Sequence, residues 1–162
     1  MKKYIQIITL CTIALFLTSC ASRERSSILS CSTISESLRD EISDNESYIA
    51  YTDEDIKYIF DDTSLFEECS YLHSASADNI DEICVIKAKN ESEAKKILKQ
   101  TEQYIKNFKE EKNDFLKNYM PSELEKLDCA KAKQFDDYVI FVFADKDDTK
   151  DVFECAERLL KK

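Results

Sequence analysis

Glu82-Ile83-Cys84-Val85-Ile86-Lys87-Ala88-Lys89, followed at once by Asn90-Glu91-Ser92-Glu93-Ala94, is the stretch on which the fold turns. Its first half is aliphatic and rich in β-branched residues, so it reads as a strand. Asn90-x-x-Glu93 is the signature of a capped helix start, in which the Asn side chain accepts from the backbone N–H three residues on. Beyond it Ala94, Ile97, Leu98, Ile105, Phe108, Phe115, Leu116 and Tyr119 recur mostly at spacings of 3, 4 and 7. That periodicity predicts one helix over 91–119 with one side facing a core, about 43 Å long at 1.5 Å per residue. Pro121 stops it, because proline lacks the N–H the next turn needs, and Ser122-x-x-Glu125 restarts a short turn.

Working outward, residues 66–75 read as a second strand, joined to 82–89 by the hairpin-sized loop Ser76-Ala77-Asp78-Asn79-Ile80-Asp81. On the other side, 128–134, an Asp136-Asp137 turn and 138–144 form a second hairpin. The run Tyr138-Val139-Ile140-Phe141-Val142-Phe143-Ala144 is apolar on both faces and belongs in the sheet interior. A closing helix, capped by Asp148 or Thr149, buries Val152, Phe153, Ala156, Leu159 and Leu160. Two short helices come first. Ile34, Leu38 and Ile42 make one stripe over 34–43, and Thr52 precedes the acidic turn Asp53-Glu54-Asp55, with Ile56, Ile59 and Phe60 inward. Asn45-Glu46-Ser47 is the turn between them. The expected order is α-α-β-β-α-β-β-α. The expected architecture is a two-layer α+β domain: a mostly antiparallel four-stranded sheet of two hairpins, with helices on one face. Strand order stays open.

The N-terminus carries the clearest address. Met1-Lys2-Lys3 is a short basic start, and residues 4–17 are uncharged and mostly apolar. That run is too short for a membrane-spanning helix of ~20 residues. It ends in Leu17-Thr18-Ser19-Cys20, which resembles the bacterial lipobox: small residues let the backbone enter the signal peptidase, and the Cys thiol takes the diacylglycerol. The chain therefore divides into a lipoprotein signal peptide over 1–19, a lipidated tether over 20–32 and a single domain over 33–162. Two or three acyl chains anchor stably, at ~0.8 kcal/mol per buried methylene.

Composition excludes much else. The chain of 162 residues has no glycine, one proline and one histidine. Without glycine there is no dinucleotide loop, phosphate loop, nucleophile elbow or calcium-hand glycine. One histidine rules out sites needing several imidazoles. The net charge of -10 falls further once Lys2 and Lys3 leave with the signal. Such a surface repels phosphate backbones and anionic headgroups, so no nucleic acid is expected, and membrane attachment must come from the anchor. Turns that normally use glycine must use Asn, Asp or Ser, or longer loops.

The domain also resembles the domain of unknown function 4358 family, found in secreted lipoproteins of Gram-positive bacteria. The resemblance rests on the stretch from Ser76 to Lys89, where the family favours a D-E-I-A-x-F-K-type strand. Further matches are the Lys/Glu-rich helix, Tyr119-Met120-Pro121-Ser122-Glu123, and Asp137-Tyr138-Val139-Ile140-Phe141-Val142. The chain departs from the family in having Cys84 where Ala is usual, and acids where the second hairpin usually has Asn-Gly. The resemblance implies fold and location and assigns no activity.

Five cysteines remain after Cys11 leaves and Cys20 is lipidated: Cys31, Cys69, Cys84, Cys129 and Cys155. Outside the cytoplasm disulfides form, so Cys69, Cys84, Cys129 and Cys155 are disulfide or core thiols, with connectivity open. Cys84 sits between apolar strand residues and reads as a small core hydrophobe. His73 reads as a half-buried structural imidazole; a Cys69–His73 catalytic pair would lie ~13 Å apart along one strand. Residues 145–151 imitate a calcium loop, but Lys150 occupies the glycine position and Ala156 the position of the bidentate Glu. The remaining acids read as a solvated face. Tyr104, Phe108, Phe115 and Tyr119 line the long helix, whose end overhangs a short sheet and offers 108–120 to a partner. The expectation is a non-enzymatic interaction domain on the outer face of the cell membrane. It carries no metal and no cofactor beyond the covalent lipid on Cys20, and meets an extracytoplasmic protein partner. The alternative is a small-ligand receptor or enzyme with an acidic, metal-assisted site.

Overall fold

A computed structural model describes residues 29–44 and 46–161. The expected signal peptide, the expected lipidation site Cys20 and the expected tether as far as residue 28 lie outside the described residues. The elements are α1 (Cys31–Arg39), β1 (Tyr48–Ala50), α2 (Asp53–Ile59), β2 (Phe66–Ser74), β3 (Glu82–Ala88), α3 (Glu91–Tyr119), α4 (Leu124–Cys129), β4 (Lys131–Phe135), β5 (Tyr138–Phe143) and α5 (Lys146–Leu160). One-turn 3-10 segments precede β2 and α4. The class is α+β with an antiparallel sheet, as expected.

The sheet has five strands rather than four, in the order β1-β2-β3-β5-β4. The added strand, β1, pairs Tyr48 with Ser74, Ile49 with His73 and Ala50 with Leu72. Three residues are too few to show the alternation that marks a strand. Central pairing joins β3 to β5 from Glu82↔Phe143 to Lys87↔Tyr138. The expected element order is corrected accordingly, with β1 between the first two helices and α4 between α3 and β4.

The cover is corrected too. Helices lie on both faces of the sheet. On one, α1 and α5 bring Ile34, Leu38, Val152, Phe153 and Ala156 against Ile83, Val85, Ile140 and Val142. On the other, α2, α3 and α4 bring Ile56, Ala94, Ile97, Ile105, Leu116 and Leu127 against Tyr71, Cys84, Ile86, Val139, Phe141 and Phe143. Every residue of β3 and β5 is buried. Strands that are apolar on both faces need cover on both, so a two-layer arrangement would leave one of these cores in water.

Local chemistry sets the boundaries. The Asn90 side chain accepts from Glu93 N at 3.0 Å and opens α3. Thr52 and Asp55 cap α2 reciprocally. α1 opens at Cys31 with Ser30 as its cap, inside the stretch read as tether. α5 opens at Lys146, earlier than Asp148 or Thr149. Asp148 instead accepts from Ser43 N at 3.2 Å and Ser43 Oγ at 2.8 Å, pinning the chain after α1 to α5. The β4–β5 turn puts Asp136 at φ 49°, the one left-handed residue among those described. Without glycine, aspartate is among the residues that tolerate this region best. No described helix is long and apolar enough to cross a membrane.

Candidate functional site

The polar centre of the domain is a pair of successive acids, Asp81 and Glu82, at the head of β3. Both are buried. Glu82 opens a strand whose every residue is enclosed, and its carboxylate finds its partners in two tyrosines. Tyr71 Oη, from β2, donates a short hydrogen bond to Glu82 Oε2, and Tyr104 Oη, from α3, donates to the same oxygen at 3.2 Å. Tyr51 stands edge-on to Tyr71 at 4.6 Å and stacks on His73 at 4.3 Å. Phe141 closes the floor, 5.1 Å from Tyr71 and 5.6 Å from Tyr104. Burial pushes Glu82 up to about 7, against the pull of the two tyrosine hydroxyls. Burial first, and the facing carboxylate second, lift both tyrosines above their ordinary range. The cluster can thus hold or release one proton at Glu82 near neutral pH.

Asp81 uses a different partner. Lys126 of α4 places Nζ 2.9 Å from Asp81 Oδ1 and 3.1 Å from Glu123 Oε2, and donates to Asn79 Oδ1 at 3.0 Å. Glu123 Oε2 also accepts from Ile80 N at 3.2 Å. The network ties the β2–β3 connection to the segment after α3. Burial raises Asp81, and Lys126 opposes that rise. Burial works against the Lys126 charge, but Asp81 and Glu123 outweigh it and raise its pKa. These acids are no solvated face, and that reading is corrected for Asp81, Glu82, Glu123 and Asp148, all buried. The sequence signal was there: two acids directly ahead of the apolar run Ile83–Ile86, in a strand enclosed on both faces, have no exposed face to occupy.

The cysteines separate. Cys31, Cys69, Cys84, Cys129 and Cys155 are all free thiols. The fold brings Cys69 and Cys84 together, with sulfurs 3.9 Å apart. Cys31 lies in the core on the opposite face, Cys129 ends α4, and Cys155 Sγ lies 4.0 Å from Ser37 O. His73 is half-buried, with Nδ1 2.8 Å from Ser74 O. Among the described residues no group of three or more His, Cys, Asp or Glu is placed to hold a metal ion.

The described residues also form open surface clefts. One, of about 450 Å³, lies between β4 and α5 and is lined by Lys131, Lys133, Lys146, Lys150, Phe153 and Glu154. Another, of about 470 Å³, is lined by Arg39, Glu46, Tyr48 and Leu72. Late in α3, residues 110–115 are all exposed, while Leu116 turns back into the core. Phe115 and Tyr119, 50% and 74% exposed, lie ring to ring at 5.1 Å.

The family described as Domain of unknown function (DUF4358) matches residues 41–144. The chain belongs to the DUF4358 family. No curated protein and no solved structure matches the chain. The DUF4358 span holds the whole sheet, the acid pair, Tyr71, Tyr104, Glu123 and Lys126. It stops short of α1 and α5, the two helices that cover the other face.

Proposed function

We propose that the chain is a lipid-anchored extracytoplasmic protein whose DUF4358 domain is a non-enzymatic interaction module. One observation carries the reading: Leu17-Thr18-Ser19-Cys20, placed directly after a basic start and an apolar run of signal-peptide length. Cys20 takes the lipid, the mature protein sits on the outer face of the cell membrane, and the negative surface leaves nucleic acid outside its range of partners. The domain supports this reading. Nine residues after Cys20 the chain is already fastened to the body, because Tyr138 Oη donates to Leu29 O at 3.2 Å. A link of that length reaches ~30 Å at most, which holds the domain close to the bilayer.

The buried polar groups support an interaction role over a catalytic one. Lys126 lies in ion-pair contact with both Asp81 and Glu123, Glu82 is enclosed by tyrosines, and none of these groups lines either described cleft. The exposed aromatic pair Phe115–Tyr119, on the outer side of the last turns of α3, is the surface we assign to a protein partner, since exposed aromatic side chains are favoured interface anchors.

The test joins both halves of the reading in living cells. Cys20→Ala is expected to abolish fatty-acid labelling and to accumulate unprocessed precursor; normal labelling would remove the anchor. A photo-crosslinking amino acid at position 115 of the lipidated protein is expected to give a discrete protein adduct that the same residue at exposed Lys95 does not. Recovery of lipid alone would overturn the interaction module.

A further inference from the structure

We propose that Cys69 and Cys84 are a redox site, closing into a reversible disulfide that staples β2 to β3 when an external disulfide oxidises them. The pairing of Cys69 with Ile86 and of Tyr71 with Cys84 puts both cysteines on one face of the sheet, at diagonal positions on neighbouring strands. Diagonal neighbours are spaced about 7–8 Å apart, the outer edge of disulfide reach, but here the two side chains turn toward each other and the sulfurs lie 3.9 Å apart. Cys129 and Cys155 lie on helices. Cys31 is the competing thiol, its Sγ 3.6 Å from Glu68 O beside Cys69, but it sits in the core on the opposite face of the sheet. Closure brings the sulfurs to about 2.05 Å. The pairing register shifts between Phe66 and Glu68, immediately ahead of Cys69, which gives this end of β2 room to adjust.

The two thiols differ in access, and that orders the chemistry. Cys69 is half-buried and Cys84 fully buried. Cys69, its proton lost to solvent, attacks one sulfur of an external disulfide of the glutathione class. The S–S bond of the oxidant breaks, one thiolate leaves, and a mixed disulfide remains on Cys69. Cys84 then gives up its proton and attacks Cys69 Sγ, expelling the second external thiolate. Two protein thiols are oxidised, one external disulfide is reduced to two thiols, and the two protons end on those thiolates. Burial raises the Cys84 thiol well above its ordinary value, so the second step is the slow one. The loop closed between residues 69 and 84 contains Tyr71, His73, Asp81 and Glu82. The staple therefore clamps the hairpin that carries both buried acids.

The inference goes beyond the anchor reading and does not depend on Cys20. It is tested on the full chain purified in detergent and incubated, folded, with oxidised glutathione. The protein is quenched in acid, unfolded, alkylated with N-ethylmaleimide, digested and mapped by mass spectrometry. The expected result is a disulfide-linked peptide pair joining Cys69 to Cys84, the loss of two alkylatable thiols at those positions, and the return of both on treatment with dithiothreitol. Cys31, Cys129 and Cys155 stay alkylated. Alkylation of both Cys69 and Cys84 overturns the proposal. So does glutathione that remains on Cys69, or a link from Cys69 to any other cysteine. The Cys20→Ala chain serves equally, so a failure of the anchor leaves this result intact.

Discussion

At Glu82 two opposing forces are visible in one side chain. Desolvation favours the neutral acid, while hydrogen bonds from Tyr71 and Tyr104 favour the anion, and desolvation wins, holding the folded-state pKa at about 7. The ordinary value is 4.5, so between those two pH values the unfolded chain loses this proton while the folded chain keeps it. Folded protein binds more protons there, and stability must fall as pH rises from 4.5 to about 7, then level off. The full effect is on the order of 3 kcal/mol. Glu82→Gln keeps an oxygen for the tyrosines and removes the titration. The wild-type urea midpoint is expected to drop between pH 5 and pH 7.5 by clearly more than that of Glu82→Gln. Parallel midpoints in the two proteins would show that Glu82 is already ionised in the fold at pH 5.

At the scale of elements, legibility follows length and period. α3 was readable end to end because its cap, its 3-4-7 stripe and Pro121 all agree, and it runs over Glu91–Tyr119 as expected. β3 and β5 were readable as strands for a similar reason. β1 was not, because three residues borrow their strand character entirely from β2. α4 shows in the sequence only as a turn, since six residues cannot display a helical stripe. Its importance lies in Lys126, whose ammonium is shared by Asp81, Glu123 and Asn79. Nothing in a Lys in a short polar segment announces that its partner is 45 residues upstream. Lys126→Met would keep the aliphatic stem and strand two acids in a buried site. Removing one member of such a network costs about 3 kcal/mol or more. The urea midpoint at pH 7.5 is expected to fall accordingly, and to recover in part near pH 5, where the raised pKa of Asp81 lets it take up a proton. A variant as stable as wild type would mean that water, and not Lys126, solvates those acids.

For the whole molecule, the family span and the physical domain do not coincide. Residues 41–144 carry the sheet and one helical layer. The other layer, α1 and α5, comes from outside that span. The sequence held the clue in Tyr138–Phe143, apolar on both sides, yet a one-face cover looked sufficient because α1 and α5 lie at opposite ends of the chain and neither alone reads as half of a layer. Together they cover Ile83, Val85, Ile140 and Val142, which are fully buried. Ile34, Leu38, Val152 and Phe153 contribute about 2 kcal/mol each by burial, comparable in total with the 5–15 kcal/mol that holds a typical domain together. A fragment of residues 41–144 is therefore expected to lose cooperative unfolding, to bind the dye ANS through its bared sheet face, and to aggregate. Residues 29–161 should unfold in a single urea transition, and Leu38→Ala should lower that transition by about 2–5 kcal/mol without abolishing it. A fragment of 41–144 that unfolds cooperatively and binds no dye would show that the matched span closes its own core and that α1 and α5 are additions to it.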